Sequence, residues 1–326
     1  MRKIILLIVL VCFTVIGCQN KKSSNQRVLS DSSGNINNLS VIIENDLWQG
    51  SVGEAIRDVL ASPVDGLPQD EPLFSMSQLP PQVFSGFTTH NRTVLKIEKG
   101  RAKNFRIARN VFAKPQKVVV ISGESNQEII DLINQNSKEI IKAFKDEELK
   151  EKQRRIKLSL YDDKPIQEEL GLSLKFPTAY RIAKHEGKFF WIRKDITTGT
   201  TNLLLYELPL NSITKNDSLM SRIIKVRDSI GKVHIPGPTE GTYMITEQAY
   251  APFQFETTID NKSTIETKGN WEVHNAFMAG PFINYVIEDK PNNRLVVIEG
   301  FAFAPSVEKR EYMFELEAII KSIEIE

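Results

Sequence analysis

Cysteine is almost missing from this chain of 326 residues: there are two, Cys12 and Cys18, both in the first eighteen positions. Nothing after Cys18 carries a thiol, which excludes disulfide staples, cysteine nucleophiles and cysteine metal sites from the body. Stability must then come from burial, and the length allows two domains of ordinary size. Histidine is scarce too. His90, His185, His234 and His274 stand apart, none with a second ligand type at metal spacing. His185-Glu186 opens like a zinc-protease motif, but Phe189 and Trp191 stand where a second histidine would be sought. No dinucleotide glycine pattern or phosphate loop is present, so the sequence calls for no cofactor. Gly123-Glu124-Ser125-Asn126-Gln127 lacks the second glycine of a nucleophile elbow. Asp162-Asp163 and Glu168-Glu169 are adjacent and read as solvated, with no pair of carboxylates placed across a cleft. An excess of either charge is also missing. With 42 basic and 41 acidic residues, nothing steers the chain to nucleic acid. The densest charged run, Lys145 to Lys157, mixes both signs and reads as a solvated helix face.

What is present is a leader. Arg2-Lys3 precedes the uncharged apolar run Ile4 to Ile16, which ends in Val15-Ile16-Gly17-Cys18. Thirteen apolar residues fall short of the roughly 20 that span a bilayer, and the layout is that of a secretory signal. Ending it at a cysteine makes a lipobox: cleavage between Gly17 and Cys18 leaves Cys18 acylated at the mature N-terminus. Losing Arg2 and Lys3 turns the formal charge from +1 to −1. Residues 18–38 are rich in Ser and Asn with few large apolar groups, and read as a flexible tether unable to order itself.

Two domains are expected beyond it, 39–160 and 161–326, parted near Tyr161-Asp162-Asp163-Lys164-Pro165. In the first, a strand near Leu39–Glu44 leads to a helix from Ser51, where Ser51-Val52-Gly53-Glu54 has capping-box spacing. A proline-rich segment follows from Ser62 to His90, then strands at 93–99, 105–112 and 117–122 and a helix from Ser125 running toward Lys157. The second has a short helix at 166–170 and strands at 172–176, 180–185, 189–195 and 202–208. A helix over Ser218 to Ile230, closed by Gly231, leads to strands at 241–250, 253–259, 270–274, 282–288 and 295–303 and a last helix at 307–323. Hairpin-length connections favour antiparallel sheets packed with helices, an α+β class in both halves.

Three features carry more than local structure. The segment Ser62 to His90, with Leu67, Leu73, Phe74, Met76, Leu79, Val83 and Phe84, is long for a neutral loop; it covers the sheet by default, or else lines a groove or docks a partner. Phe277-Met278-Ala279-Gly280-Pro281-Phe282 sets aromatics around a Gly-Pro turn beside Trp271, read first as core packing and second as a hydrophobic ligand slot. Asp217-Ser218-Leu219 and Asp228-Ser229-Ile230 fit a three-residue envelope O-glycosylation pattern, against which stands a helix-cap role for Asp217 or Ser218.

The lipobox, Leu67-Pro68-Gln69-Asp70-Glu71-Pro72-Leu73-Phe74, Arg227-Asp228, Pro236-Gly237-Pro238, Gly269-Asn270-Trp271, Met278-Ala279-Gly280-Pro281-Phe282 and Glu299-Gly300-Phe301-Ala302-Phe303-Ala304-Pro305 together resemble an uncharacterised Bacteroidota lipoprotein family, domain of unknown function 4837. The resemblance covers essentially the whole chain and implies no catalytic residue. Leu172 to Pro177, and Leu295 to Pro305 with the helix to Ile323, are similar to the opening strand and the closing strand and helix of the PsbP/Mog1-like fold. That likeness implies an accessory or binding module for the second half.

The expectation is therefore a non-enzymatic envelope lipoprotein, held to the membrane through Cys18, with an envelope protein as partner. Gln19 after the acylated residue points to the outer membrane, and the lack of an acidic surface-export cluster in Gln19 to Asn25 points to its periplasmic face. Phe74, Arg227, Asp228, Tyr243, Trp271, Met278 and Phe282 are the candidates for a ligand or partner surface. The alternative is an envelope hydrolase, which calls for a pocket joining two or more of His234, Glu240, Arg227, Asp228 and Tyr243.

Overall fold

In the computed structural model the described residues are 29–213 and 218–326. Gly17, Cys18, the leader, the start of the tether and Asp217 lie outside them. No helix among the described residues is long and apolar enough to cross a membrane.

The N-terminal unit runs β1 (Ser30–Asp31), β2 (Asn38–Ile42), α1 (Asn45–Gln49), α2 (Ser51–Leu60), β3 (Ser75–Leu79), β4 (Thr93–Lys99), β5 (Asn104–Arg109), β6 (Ala113–Lys114), β7 (Lys117–Gly123), α3 (Asn126–Gln135) and α4 (Ser137–Ile156). Its sheet has the order β3-β2-β4-β7-β5. The α+β class holds, but the antiparallel arrangement expected here does not. β3, β2, β4 and β7 are parallel, and only β5 runs antiparallel, against β7. A turn of hairpin length joins β4 to β5, yet β7 inserts between them, so spacing alone misleads. The better signal is β7 itself: every residue of Lys117–Gly123 is buried, as in a parallel strand covered on both faces.

One face of this sheet, with Val41, Leu95, Ile97, Val119 and Ile121, packs on the helices through Ile56, Leu60, Ile133 and Phe144. Ser51 does not cap α2. Gly50 holds that position, because α1 already occupies the preceding turn. Ser125 does cap α3, accepting from the Glu128 backbone N–H at 3.3 Å. The charged run in α4 also departs from its reading as a solvated face: Glu147, Glu148 and Glu151 are buried. Arg92 explains much of this. Its guanidinium lies 2.9 Å from Glu148 and donates to the carbonyls of Gly34 and Asn35, while Glu148 also accepts the Asn37 N–H at 3.0 Å. The later part of the expected tether is thereby docked. Its order comes from backbone hydrogen bonds to a buried ion pair together with burial of Ile36.

The C-terminal unit comprises α5 (Lys164–Leu170), β8 (Leu172–Ser173), β9 (Arg181–Glu186), β10 (Phe189–Ile196), β11 (Gly199–Pro209), α6 (Leu219–His234), β12 (Met244–Thr246), β13 (Phe253–Ile259), β14 (Lys262–Val273), β15 (Ala276–Asp289), β16 (Arg294–Phe303), α7 (Arg310–Ile320) and β17 (Glu324–Ile325). Its eight-stranded sheet has the order β12-β14-β15-β16-β11-β10-β9, with β13 also on β14, and is antiparallel throughout. Alternating side chains divide it cleanly. Ile192, Leu203, Leu205, Tyr285, Ile287 and Ile298 meet Leu316 and Ile320 of α7. Leu204, Tyr206, Val286, Val297 and Phe301 share the other cluster with Ile223 and Val226 of α6. Gly231 does not close α6. It lies inside the helix, where a Cβ would stand 2.2 Å from the Met244 carbonyl, so only glycine lets β12 approach.

Charged contacts join the two units. The Glu71 carboxylate accepts the backbone N–H groups of Lys309 and Arg310, each at 2.7 Å, and so caps α7 from the other unit. Arg310 donates to the Pro72 carbonyl and Ser75 Oγ, and Lys145 and Lys152 of α4 reach Glu317 and Glu315 of α7.

Candidate functional site

Strand alternation puts Phe301 and Phe303 on the α6 side of β16, Trp271 and Val273 beside them on β14, and Trp191 and Asn202 on β10 and β11. With Met278 of β15 and the turn Ile235-Pro236-Gly237-Pro238 they enclose a cleft of about 240 Å³. Its floor is set by ring contacts. Trp271 meets Phe301 edge-on at 5.7 Å between centroids and lies 6.3 Å from Phe303. Trp271 Nε1 donates to the Ala302 carbonyl at 3.2 Å, and Trp191 Nε1 to Asn202 Oδ1 at 3.0 Å, which fixes both indoles. The wall is held by Gly237 N–H on the Thr242 carbonyl, 2.8 Å, and Met244 N–H on the Ile235 carbonyl, 3.1 Å. Arg193 and Thr200 complete the lining, and Arg193 donates to Asp195.

The motif Phe277 to Phe282 is not a turn. It runs inside β15, and the chain reverses earlier, where Asn275 takes a φ of 61°. Gly280 is required because a Cβ there would stand 2.1 Å from the Ala302 carbonyl. Pro281, which has no N–H, pairs with Asn270 of β14, and the β15–β16 ladder starts only at Phe282. Phe277 is fully exposed rather than packed in the core.

Of the seven candidates for a ligand or partner surface, Trp271 and Met278 line the cleft. Phe74 lies in the N-terminal core against Phe144 and offers no surface. Arg227 is likewise buried, so the expectation of a ligand surface fails for these two, whereas Phe282, though buried, lines a narrow recess of about 40 Å³ with Leu67, Leu73 and Arg310. Arg227 pairs with Glu299 at 2.9 Å, donates to Thr246 Oγ1 and lies over the Phe282 ring at 3.9 Å. Glu299 stands in a row across the sheet with Asn284 and Thr267. Burial pushes its carboxyl up while Arg227 pulls it down, and burial with the Glu299 charge pushes the Tyr206 hydroxyl up. This network pins α6 to the sheet. Asp228 accepts the N–H and hydroxyl of Thr246, both at 2.7 Å, and Tyr243 stacks on His274. Burial, then Lys184, lowers the His234 pKa, and its ring stacks on Phe189. Ser229 donates to the Lys225 carbonyl within α6, and Ser218 Oγ accepts from Arg222. No group of three or more His, Cys, Asp or Glu among the described residues is placed to hold a metal.

Sequence reading missed Trp191, Asn202, Phe301 and Phe303 as members of one site. The two-residue spacing of Phe301 and Phe303 was a usable signal for a shared face. Nothing local marks Trp191 or Asn202, which arrive through β10–β11 pairing.

A family model described as a domain of unknown function (DUF4837) matches residues 159–322. The chain belongs to the DUF4837 family. A second domain of unknown function (DUF8532) matches residues 32–157, so the cleft lies wholly within the DUF4837 part. No curated protein matches the chain. Among solved structures it is similar to LpqN, involved in cell envelope biogenesis of Mycobacterium tuberculosis, at 11% identity and a TM-score of 0.28, over 47% of this chain and 82% of that one. It is also similar to a point mutant of the protein Mog1, at 10% identity and a TM-score of 0.29, over 47% of this chain and 90% of that one.

Proposed function

We propose that this chain is an envelope lipoprotein, acylated at Cys18, that acts as a non-enzymatic binding module and takes one aromatic or proline side chain of a partner protein in the β10–β16 cleft. The anchoring part rests on the lipobox, and Gln19 after it favours outer-membrane delivery on the periplasmic side. The observation that carries the binding part is the cleft itself: aromatic, open and shaped by fixed indoles. At about 240 Å³ it is smaller than the roughly 300–1,000 Å³ typical of small-molecule pockets. Buried aromatic anchors in such recesses dominate many protein interfaces. His234, Glu240, Arg227, Asp228 and Tyr243 do not line it, so it holds none of the residues the hydrolase reading needs.

The test uses the full acylated protein taken from membranes, with a photo-crosslinking residue at Met278. The expected result is one predominant crosslinked protein, lost at least about tenfold with Phe303→Ser, since losing an aromatic contact at an interface centre commonly removes about 2 kcal/mol or more. An uncrosslinked monomer that turns over glycan or peptide substrates would overturn the binding reading.

A further inference from the structure

The two faces of the N-terminal sheet are covered unequally. α-Helices cover one. On the other, Ile42, Val94, Val118 and Val120 are roofed by Leu79 of β3 and by Phe84, Val111 and Phe112 from the connections, the first of which winds into short 3-10 turns at Pro81–Val83 and Gly86–His90. Phe84 and Phe112 meet edge-on at 5.3 Å, and beyond them Phe87 is 89% exposed and Val83 50%. Val83 and Phe87, four positions apart, carry this apolar roof outward into solvent.

The incoming chain is held by this same roof. The Ser33 N–H donates to the His90 carbonyl at 2.9 Å, the Ser32 N–H donates to the Lys114 carbonyl at 3.1 Å, and β1 pairs with β6. His90 touches the Phe87 ring, 5.9 Å between centroids. The stretch from Cys18 to Leu29 reaches at most roughly 40 Å at ~3.3–3.6 Å per residue, so an acyl anchor holds the chain's entry point, which lies on this face, within that distance of the bilayer. The charge on this face also suits headgroups. Arg106 and Lys96 both pair with Val120 and so share its side of the sheet, and with Arg101 they are three cations against two acids, Glu98 and the Glu44 that accepts from Gln82.

We infer that the segment carrying Val83 and Phe87 is a second membrane contact, inserting into the lipid interface beside the tether so that the roof over this face of the N-terminal sheet lies on the headgroups. The inference rests on the anchoring reading above. It orients the body with the N-terminal unit toward the bilayer.

The body has no thiol, so Phe87→Cys and, separately, Phe277→Cys each give one site for an environment-sensitive fluorophore on the acylated full chain. In vesicles of phosphatidylethanolamine and phosphatidylglycerol, the label at 87 is expected to shift to the blue and to be quenched several-fold more by lipid-borne nitroxides than the label at 277. A water-like spectrum at 87 on vesicle-bound protein would overturn the inference. So would protection at 87 without vesicles that grows with protein concentration, which would mean a second copy covers the face. A second measurement uses the unacylated chain expressed from residue 18 without the leader and with Cys18→Ala: adding Val83→Ser and Phe87→Ser is expected to cut its partitioning into the same vesicles about tenfold or more, and unchanged partitioning counts against the segment. Mass spectrometry of the mature N-terminus reads acylation independently, so failure of the anchor and failure of this contact are separately visible.

Discussion

The two units solve the same burial problem differently. The C-terminal sheet is antiparallel and has a helix on each face, α7 against one and α6 against the other. The N-terminal sheet is mostly parallel and has α-helices on one face only. Where both faces carry a helix, the opening left is a recess at a helix edge, bounded by fixed side chains. Where one face has no α-helix, what is left is a surface roofed by side chains of the connections. A recess suits one inserted group, and a broad face suits a broad partner.

The sharpest test of this contrast removes the charge that ties α6 to its sheet. Arg227→Ala leaves Glu299 buried without its partner and is expected to cost about 3–5 kcal/mol in chemical denaturation. The double change Arg227→Met with Glu299→Leu should recover most of that loss. Failure to recover would mean the pair shapes the C-terminal core beyond balancing its own charge.

Next in size is the join between units. Glu71→Ala removes the cap from α7 and leaves two buried N–H groups unpaired, an expected loss of about 2–3 kcal/mol. Calorimetry should then show two transitions where the parent has one. A single unsplit transition would mean apolar packing, not the cap, makes the units one cooperative body.

An effect of similar size, but confined to low pH, is set by acid. Lys152 and Lys194 outweigh burial and hold the Glu315 carboxyl down at about 2, below its usual 4.5. A depressed acid stabilises fully above its unfolded pKa, and that contribution is lost as pH falls through its folded value. Stability should therefore drop between about pH 4.5 and 2, by up to roughly 3 kcal/mol from this group. Glu315→Gln should flatten that part of the pH profile. An unaltered slope would assign the loss to Glu151 or Glu317, which are depressed as well.

Helices were legible from periodicity where apolar side chains recur at helical spacing toward one core, as Ile56 and Leu60 do in α2 and Met313, Leu316 and Ile320 in α7. The errors cluster where a partner distant in sequence overrides a local signal. Gly231 looks like a helix end and is a contact point for β12. Gly280-Pro281 looks like a turn and is strand interior beside β16. The mixed charges of α4 look solvated and are buried on Arg92 and Lys117. Trp271 and Met278 were found for the cleft, but Trp191 and Asn202 were not.

By itself the sequence determined which segments form regular structure, the lack of any thiol in the body, and the lipobox pattern at its start, because these depend on composition and short-range spacing. Strand order, the side from which Arg227 meets Glu299, the recess between β16 and the Pro236-Gly237-Pro238 turn, and the face of the first sheet without α-helices were decided only in three dimensions. Each depends on which strand slides in beside which, and hydrogen-bonding edges are alike in every strand until packing selects among them.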